Sequence, residues 1–298
     1  MFSIRSCRPL GLLRQISINY RSVHQISKSG FNDATADAYE QARPSYPKGT
    51  VQYIKEVITN KGIPSTLNVL ELGAGTGKFT RSFFETSLEG KQQQDLNYTA
   101  TEPSDGFREV LAKSAPSGVS HIMAATGDAI KVPSGSQDAV IVAQAFHWMA
   151  SEATIQEVRR VLKPGGAFIM VWNALDVNIS WIHELEMDIL TRRYDDKATP
   201  RYITMDWEKA FTTAAAKASF SPLTKWTNPV NACSEVTAQF IVDRMLSVSV
   251  VTMRSKEEQE AMATEIFDLV RTHPETRHME DGKYKMEYRS DVAFCRAI

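Results

Sequence analysis

Among these 298 residues the stretch with the most chemical content is Asn68-Val69-Leu70-Glu71-Leu72-Gly73-Ala74-Gly75-Thr76-Gly77-Lys78-Phe79-Thr80. Glycines at three alternate positions, Gly73, Gly75 and Gly77, let a backbone turn tightly and come close to a bound molecule where a Cβ would obstruct it. A nucleoside-shaped ligand suits such an approach. The spacing argues against two common users of glycine loops. A dinucleotide fingerprint, GxGxxG, needs its third glycine one place later, where Lys78 stands, which disfavours NAD. A phosphate-cradling loop, GxxxxGK followed by Ser or Thr, fails because Phe79 follows Lys78 and Gly73 lies four rather than five residues before Gly77, which disfavours ATP by that route. No metal is expected: Cys7, Cys233 and Cys295 are widely separated, and His273 and His278 around Pro274 form no convincing ligand pair.

Other residues carry suitable chemistry farther along the chain. Glu102, in Thr99-Ala100-Thr101-Glu102-Pro103, and Asp128, in Thr126-Gly127-Asp128-Ala129, offer carboxylates, which accept hydrogen bonds and do not donate them when ionised. Glu71 either orders the glycine loop or faces a cationic group that favours its charged form. Arg43 offers a planar donor fork suited to a carboxylate. His147 is a proton acceptor only if the reacting group must lose a proton. Tyr46, Trp148, Trp172 and Trp181 are aromatic candidates for a pocket wall, with core packing as the alternative.

These residues need elements to position them. Apolar periodicity and turn residues predict a helix over Gly49 to Lys61, a strand over Leu67 to Glu71 and a helix over Gly77 to Thr86. A strand over Leu96 to Thr101, a helix over Asp105 to Ser114 and strands over Val119 to Ala124 and Ala139 to Ala143 follow. A helix over Ser151 to Leu162 should end at Lys163-Pro164-Gly165-Gly166, with a sharp reversal into a strand over Ala167 to Trp172. Such alternation means a parallel, doubly wound α/β sheet in three layers. Its ligand belongs beyond the carboxyl ends of the strands, so the loops after Glu71, Thr101, Ala125 and Ala143 should converge. Helices over Val236 to Val250 and Glu257 to Thr272 follow, and a terminal hairpin of Lys283 to Tyr288 with Val292 to Arg296.

In order, Val69-Leu70-Glu71-Leu72-Gly73-Ala74-Gly75-Thr76-Gly77, the acid Glu102, Thr126-Gly127-Asp128-Ala129, Asp138-Ala139-Val140-Ile141-Val142 and Leu162-Lys163-Pro164-Gly165-Gly166-Ala167-Phe168 resemble the motifs of class I S-adenosylmethionine-dependent methyltransferases. The resemblance spans most of residues 31 to 174. It implies a Rossmann-like fold with an antiparallel C-terminal strand and S-adenosyl-L-methionine as cofactor. Glu102 would accept from both ribose hydroxyls, Asp128 would receive the adenine amino group, and the Ala129 amide would reach the ring. The N-H groups at the helix opened by Gly77 would meet the methionine carboxylate. Two further segments, Tyr39-Glu40-Gln41-Ala42-Arg43-Pro44-Ser45-Tyr46-Pro47 and Gln144-Ala145-Phe146-His147-Trp148, resemble small-molecule enzymes of the trans-aconitate methyltransferase type. That likeness would bring Tyr39 and Arg43 over the cofactor as a lid and Gln144 beside it, with His147 and Trp148 bordering the acceptor. The Asn/Asp-Pro-Pro-Tyr motif of enzymes that methylate planar amide or adenine nitrogens is absent after Ala143.

Composition sets outer bounds on these readings. With 43% apolar and 23% charged residues the chain is of globular type, and no run approaches the ~18 apolar residues of a membrane-spanning helix. Residues 1–30 hold Arg5, Arg8, Arg14, Arg21 and Lys28 with no acid, leaving 29 basic against 35 acidic residues beyond them, a body that repels nucleic acid. The leader has the pattern of a mitochondrial transit peptide, with a disordered basic tail as the alternative. The mitochondrial matrix is therefore the expected location, and the cytoplasm otherwise. One domain over residues 31–298 is expected, with a substrate cap around 173–250 that contains Trp181, His183, Arg192, Arg193, Tyr194 and Arg201. The expected activity is methylation of a carboxyl or hydroxyl oxygen on a small molecule. Alternatives are a hydrophobic mitochondrial quinone or lipid precursor as acceptor, or a non-catalytic cofactor-binding scaffold.

Overall fold

The computed structural model describes residues 43–60, 65–87, 95–194, 199–229, 232–276 and 282–298. The basic leader, Tyr39 and His278 lie outside the described residues. The chain alternates helix α1 (Lys48–Thr59), strand β1 (Thr66–Leu72), α2 (Lys78–Glu85), β2 (Asp95–Thr101), α3 (Asp105–Ser114), β3 (Val119–Met123) and β4 (Gln137–Ala143). Next come α4 (Phe146–Met149), α5 (Glu152–Val161), β5 (Leu162–Leu175), α6 (Ser180–His183), a π-helical segment Glu184–Tyr194 and α7 (Ala214–Ser219). The remainder is β6 (Thr224–Thr227), β7 (Ala232–Thr237), α8 (Ala238–Leu246), α9 (Ser249–Thr252), α10 (Lys256–Thr272) and β8 (Lys283–Arg296). No described helix is long and apolar enough to cross a membrane.

The strands form one sheet in the order β3-β2-β1-β4-β5-β8-β6, with β7 also paired to β8. Strands β1 to β5 run parallel, and β8 runs antiparallel to β5, β6 and β7. The central strands are buried on both faces, and the period-two alternation of a strand divides them between two cores. Val69, Ile141, Ile169 and Val171 pack with α1 and α2 residues such as Ile54 and Phe83. Leu70, Val140, Phe168 and Met170 pack with Ile155 and Val158 of α5 on the other side. This is the expected three-layer α/β architecture. Helix starts are set locally: Ser104 accepts from the Phe107 amide, Ser151 from the Thr154 amide, and Ser255 with Glu258 completes a capping box.

Three expectations at the carboxyl-terminal side are corrected. The Lys163–Gly166 segment does not separate helix from strand; it bulges within β5, since Gln137 pairs with Leu162 and Ala139 already with Ala167. Gly165 and Gly166 pair there with Ala297, so a partner remote in sequence holds the turn in the sheet. The terminal hairpin is instead one 14-residue strand, β8, because β5 offers it a continuous partner from Ala167 to Leu175. The helix placed at Val236 to Val250 starts only at Ala238, since residues 232–237 form β7 against Lys283 to Tyr288.

The cap has an apolar cluster of its own, built from Trp181, Leu185, Ile241, Met262, Leu269 and Met286 among others. It reaches beyond residue 250 to include α10 and the first half of β8.

Candidate functional site

The glycine loop follows the buried end of β1, and its backbone departs from ordinary geometry. Gly73, Gly75 and Gly77 take φ values of +69°, +58° and +86°, the left-handed region in which a Cβ is strained. The reasons for glycine differ along the loop. A Cβ on Gly77 would lie 2.6 Å from Leu111 Cδ1, so this glycine lets α2 pack on α3. A Cβ on Gly75 would approach nothing closer than Phe107 Cδ2 at 4.0 Å, so its side faces open space.

That open space is a cavity of about 380 Å³ lined by the loops after β1, β2, β3 and β4: Gly73 and Gly75, Glu102, Thr126 and Gly127, and Gln144. The four loops converge as the strand order requires, at a size ordinary for a small-molecule site. Glu102 is the acid that orders the glycine loop. Its Oε2 accepts from the Gly75 amide and its Oε1 from the Ser104 amide, each at 2.9 Å. Burial raises its pKa, opposed by those two amides. A carboxylate has about four acceptor positions, so two remain for a ligand.

Glu71 does different work from that expected of a loop-ordering acid. It is fully buried at the end of β1, and its Oε2 accepts from Thr80 Oγ1 at 2.6 Å and from the Tyr98 hydroxyl at 2.7 Å. It lines the cavity, yet its Oε1 is buried with no hydrogen-bond partner. Burial pushes its carboxyl up to about 7 in spite of the two hydroxyl donors.

A second, smaller cavity of about 120 Å³ adjoins the first, and Arg43, Gln144, Trp148, Asn173 and Arg244 line both. Gln144 sits at the junction with φ +55°, uncommon for a residue with a side chain. Its amide donates to Val171 O at 2.8 Å and its Nε2 to Asn173 O at 2.6 Å, contacts that hold this conformation. His147 and Arg201 line only the second cavity. Arg201 is paired with Glu186 and donates to Thr191 Oγ1 at 2.9 Å. His147 accepts at Nδ1 from Trp172 Nε1 at 3.3 Å. Burial, followed by the charges of Arg201 and Arg43, lowers its pKa to about 3.

Several expected residues fall elsewhere. Trp172 lines neither cavity; it is a core residue that reaches the second cavity through two of its lining residues, Tyr202, on which it stacks at 4.5 Å, and His147. Trp181 is corrected likewise: it is buried in the cap cluster and lines neither cavity. Tyr46 lines the first cavity, not the second, packed edge-on against Phe79 at 5.0 Å. Asp128 and Ala129 are exposed beside the first cavity. The Asp128 carboxylate accepts from Thr126 Oγ1 at 2.6 Å, and the Ala129 amide is committed to Thr126 O at 3.2 Å. Gly77 supports the loop from behind without lining it. In the cap, Arg192 pairs with Asp188 at 2.8 Å and Arg193 with Glu265 on an exposed face.

The sequence reading missed Asn173, Phe107, Met149 and Arg244. Phe107 and Met149 look like ordinary helix-core residues, so nothing in the chain marks them. Arg244 left one sign, a lone cation amid Ile241, Val242 and Met245, all buried in the same helix.

Comparison with known proteins gives consistent matches. A family profile described as a methyltransferase domain matches residues 70–170. An uncharacterised methyltransferase-like protein of Schizosaccharomyces pombe is 31% identical over 261 residues, 87% of this chain and 93% of the relative. An uncharacterised methyltransferase of Mycobacterium tuberculosis is 31% identical over 237 residues, 80% of this chain and 84% of the relative. In fold, the chain is similar to a structure from Anaeromyxobacter dehalogenans assigned as a type II methyltransferase, with TM-score 0.57 and 20% identity over 86% of this chain and 97% of that one.

Proposed function

Since the chain belongs to the methyltransferase family, we propose that it is an S-adenosylmethionine-dependent enzyme that methylates an oxygen, carboxyl or hydroxyl, of a small molecule. The observation that carries this reading is the first cavity, where a glycine loop and an amide-held Glu102 face a buried carboxyl oxygen of Glu71 that lacks a partner. The donor set fits the cofactor. Glu102 keeps acceptor positions for two ribose hydroxyls, and the unpaired Glu71 oxygen suits an ammonium group. Arg43 and the start of α2 offer donors to a carboxylate. Asp128 stands at the rim for a base amine. When bound, the cofactor supplies a methyl group already activated on a sulfonium.

The protein's own task is then positioning, which supplies most of the rate for a displacement between pre-activated partners. Gln144, at the junction, orients the acceptor against the first cavity. His147 supports a carboxyl acceptor over a hydroxyl one. With Nδ1 occupied by an indole donor, the neutral ring carries its proton on Nε2, and such a ring donates a hydrogen bond into its cavity and has no free nitrogen to take a proton. A carboxylate is already ionised at neutral pH and needs no base. The likeness of residues 39–47 and 144–148 to the trans-aconitate type supports the same acceptor class. We further propose residence in the mitochondrial matrix, supported by the acid-free basic leader; a reporter fused to residues 1–30 that stays outside mitochondria refutes it.

The test is calorimetric titration of the full chain with S-adenosylmethionine and S-adenosylhomocysteine, with NAD as control, followed by transfer of labelled methyl to small-molecule extracts. Saturable binding near one equivalent, silence with NAD and a labelled product of low mass are expected. A folded protein that binds neither compound overturns the reading, and one that binds but labels nothing is a scaffold.

A further inference from the structure

The second cavity contains a cation that the reading above does not use. Arg244 projects from α8 of the cap, is only 6% exposed, and lines both cavities at their junction. Its Nε and Nη1 are buried with no hydrogen-bond partner. Arg201, close by, differs in having Glu186 as its counter-ion. The side chains facing the second cavity thus include three guanidiniums, those of Arg43, Arg201 and Arg244, against one carboxylate, Glu186. His147, kept neutral by burial and by the charges of Arg201 and Arg43 while its Nδ1 accepts from Trp172, adds a donor and no charge.

A buried guanidinium with unfilled donors is costly to maintain unless an anion completes it. We propose that Arg244 anchors a carboxylate of the methyl acceptor, a group that is held and not methylated. This rests on the methyltransferase reading of the first cavity and names the acceptor class: a small acid with an anionic handle separate from its reacting oxygen. A carboxylate gripped by a planar guanidinium fork has its lone pairs engaged, which suits an anchor and not a nucleophile. A carboxylate also fits the site better than a phosphate. The small chamber is otherwise lined by neutral side chains such as Gln144, Asn173 and Tyr202 and by the carboxylate of Glu186, which pairs with Arg201 and would repel a doubly charged anion. Arg244 is accordingly a positioning residue, supplied by the cap, that selects what enters beside the cofactor.

The experiment uses the full chain saturated with S-adenosylhomocysteine and titrates succinate, its neutral diamide succinamide, and inorganic phosphate. Succinate should bind, and succinamide and phosphate should not. In Arg244→Met succinate affinity should fall by about thirtyfold or more, the scale for removing one partner of a buried charge pair. Arg244→Lys, which keeps the charge without the fork, should fall in between. Affinity for S-adenosylhomocysteine should be unchanged in both variants, which also reports that they fold. Loss of S-adenosylhomocysteine binding in both variants would reassign the guanidinium to the cofactor and overturn the anchor. Equal binding of succinate and succinamide, phosphate binding in place of succinate, or no binding of any probe would overturn it too. If the unmodified protein fails to bind S-adenosylhomocysteine, the methyltransferase reading itself falls, an outcome visible before any probe is added.

Discussion

The indole Nε1–H of Trp172 donates to Nδ1 of His147 across 3.3 Å, joining a core residue of β5 to a wall of the second cavity. An indole nitrogen only donates, so this contact leaves the imidazole proton on Nε2. Burial, followed by the charges of Arg201 and Arg43, holds the ring's pKa at about 3 in the folded protein, below the ordinary 6.5. The stability this neutral ring contributes is therefore complete above about pH 6.5 and is lost as pH falls toward 3. Nitrogen NMR at pH 6 should find a neutral ring protonated at Nε2. An imidazolium there, or a neutral ring protonated at Nδ1, would refute the assignment. His147→Gln, which keeps a donor, should retain turnover better than His147→Ala.

Glu71 predicts a pH dependence of cofactor binding. Burial holds its carboxyl near 7, above the ordinary 4.5, while a bound ammonium favours the ionised form. Binding should therefore strengthen as pH rises through 7, by about tenfold between pH 6 and pH 8 for a group of that pKa. Calorimetry of S-adenosylhomocysteine binding in buffers of different ionisation enthalpy should detect proton release below pH 7. A flat profile in the unmodified protein, or the same slope in Glu71→Gln, would remove Glu71 from this role.

Glu102 joins two loops through one carboxylate. Glu102→Ala leaves the half-buried Gly75 and Ser104 amides without their acceptor, at a cost of about 1 kcal/mol for each hydrogen bond lost. The thermal midpoint should drop and cofactor affinity should fall by at least about tenfold, the scale of one lost hydrogen bond to a charged group. Unchanged affinity in the folded variant would remove Glu102 from the site.

Two glycines of one loop should respond differently. Gly77→Ala places a Cβ 2.6 Å from Leu111 in addition to its unfavourable φ, so thermal stability should fall clearly. Gly75→Ala meets only the backbone penalty, about 1–2 kcal/mol, yet its Cβ enters the first cavity. It should stay folded and lose cofactor affinity. Equal effects of both variants on stability and on binding would contradict the geometry.

Much of the site's first half was legible in the chain because local rules dictate it. A buried run such as Val69-Leu70, an acid and alternating glycines must form a strand and a tight loop, and strands in βα alternation must bring their carboxyl-end loops together. The glycine loop and the meeting of those loops followed from that alone, with Glu102 and Gln144 marked by the resemblance of their segments to methyltransferase motifs. The fates of Lys163–Gly166 and of the last strand did not, because pairing between Ala167 and Arg296 joins segments more than a hundred residues apart.

What sequence by itself determined, then, is the half of the protein governed by short-range geometry: the layered sheet and the glycine turn, while the identity of Glu102 as the acid that holds that turn emerged only with the fold. Tertiary structure decided the rest. Whether an aromatic is wall or core depends on which faces meet, so Trp148 borders both cavities while Trp181 is buried in the cap and Trp172 lies behind His147 and Tyr202. Whether a charge is solvated or buried depends equally on distant partners. Arg193 found Glu265 at the surface, whereas Arg244 was carried by the cap into the junction of the two cavities. Burial and opposing charge are properties of the assembled fold, and no spacing of residues along a chain specifies them.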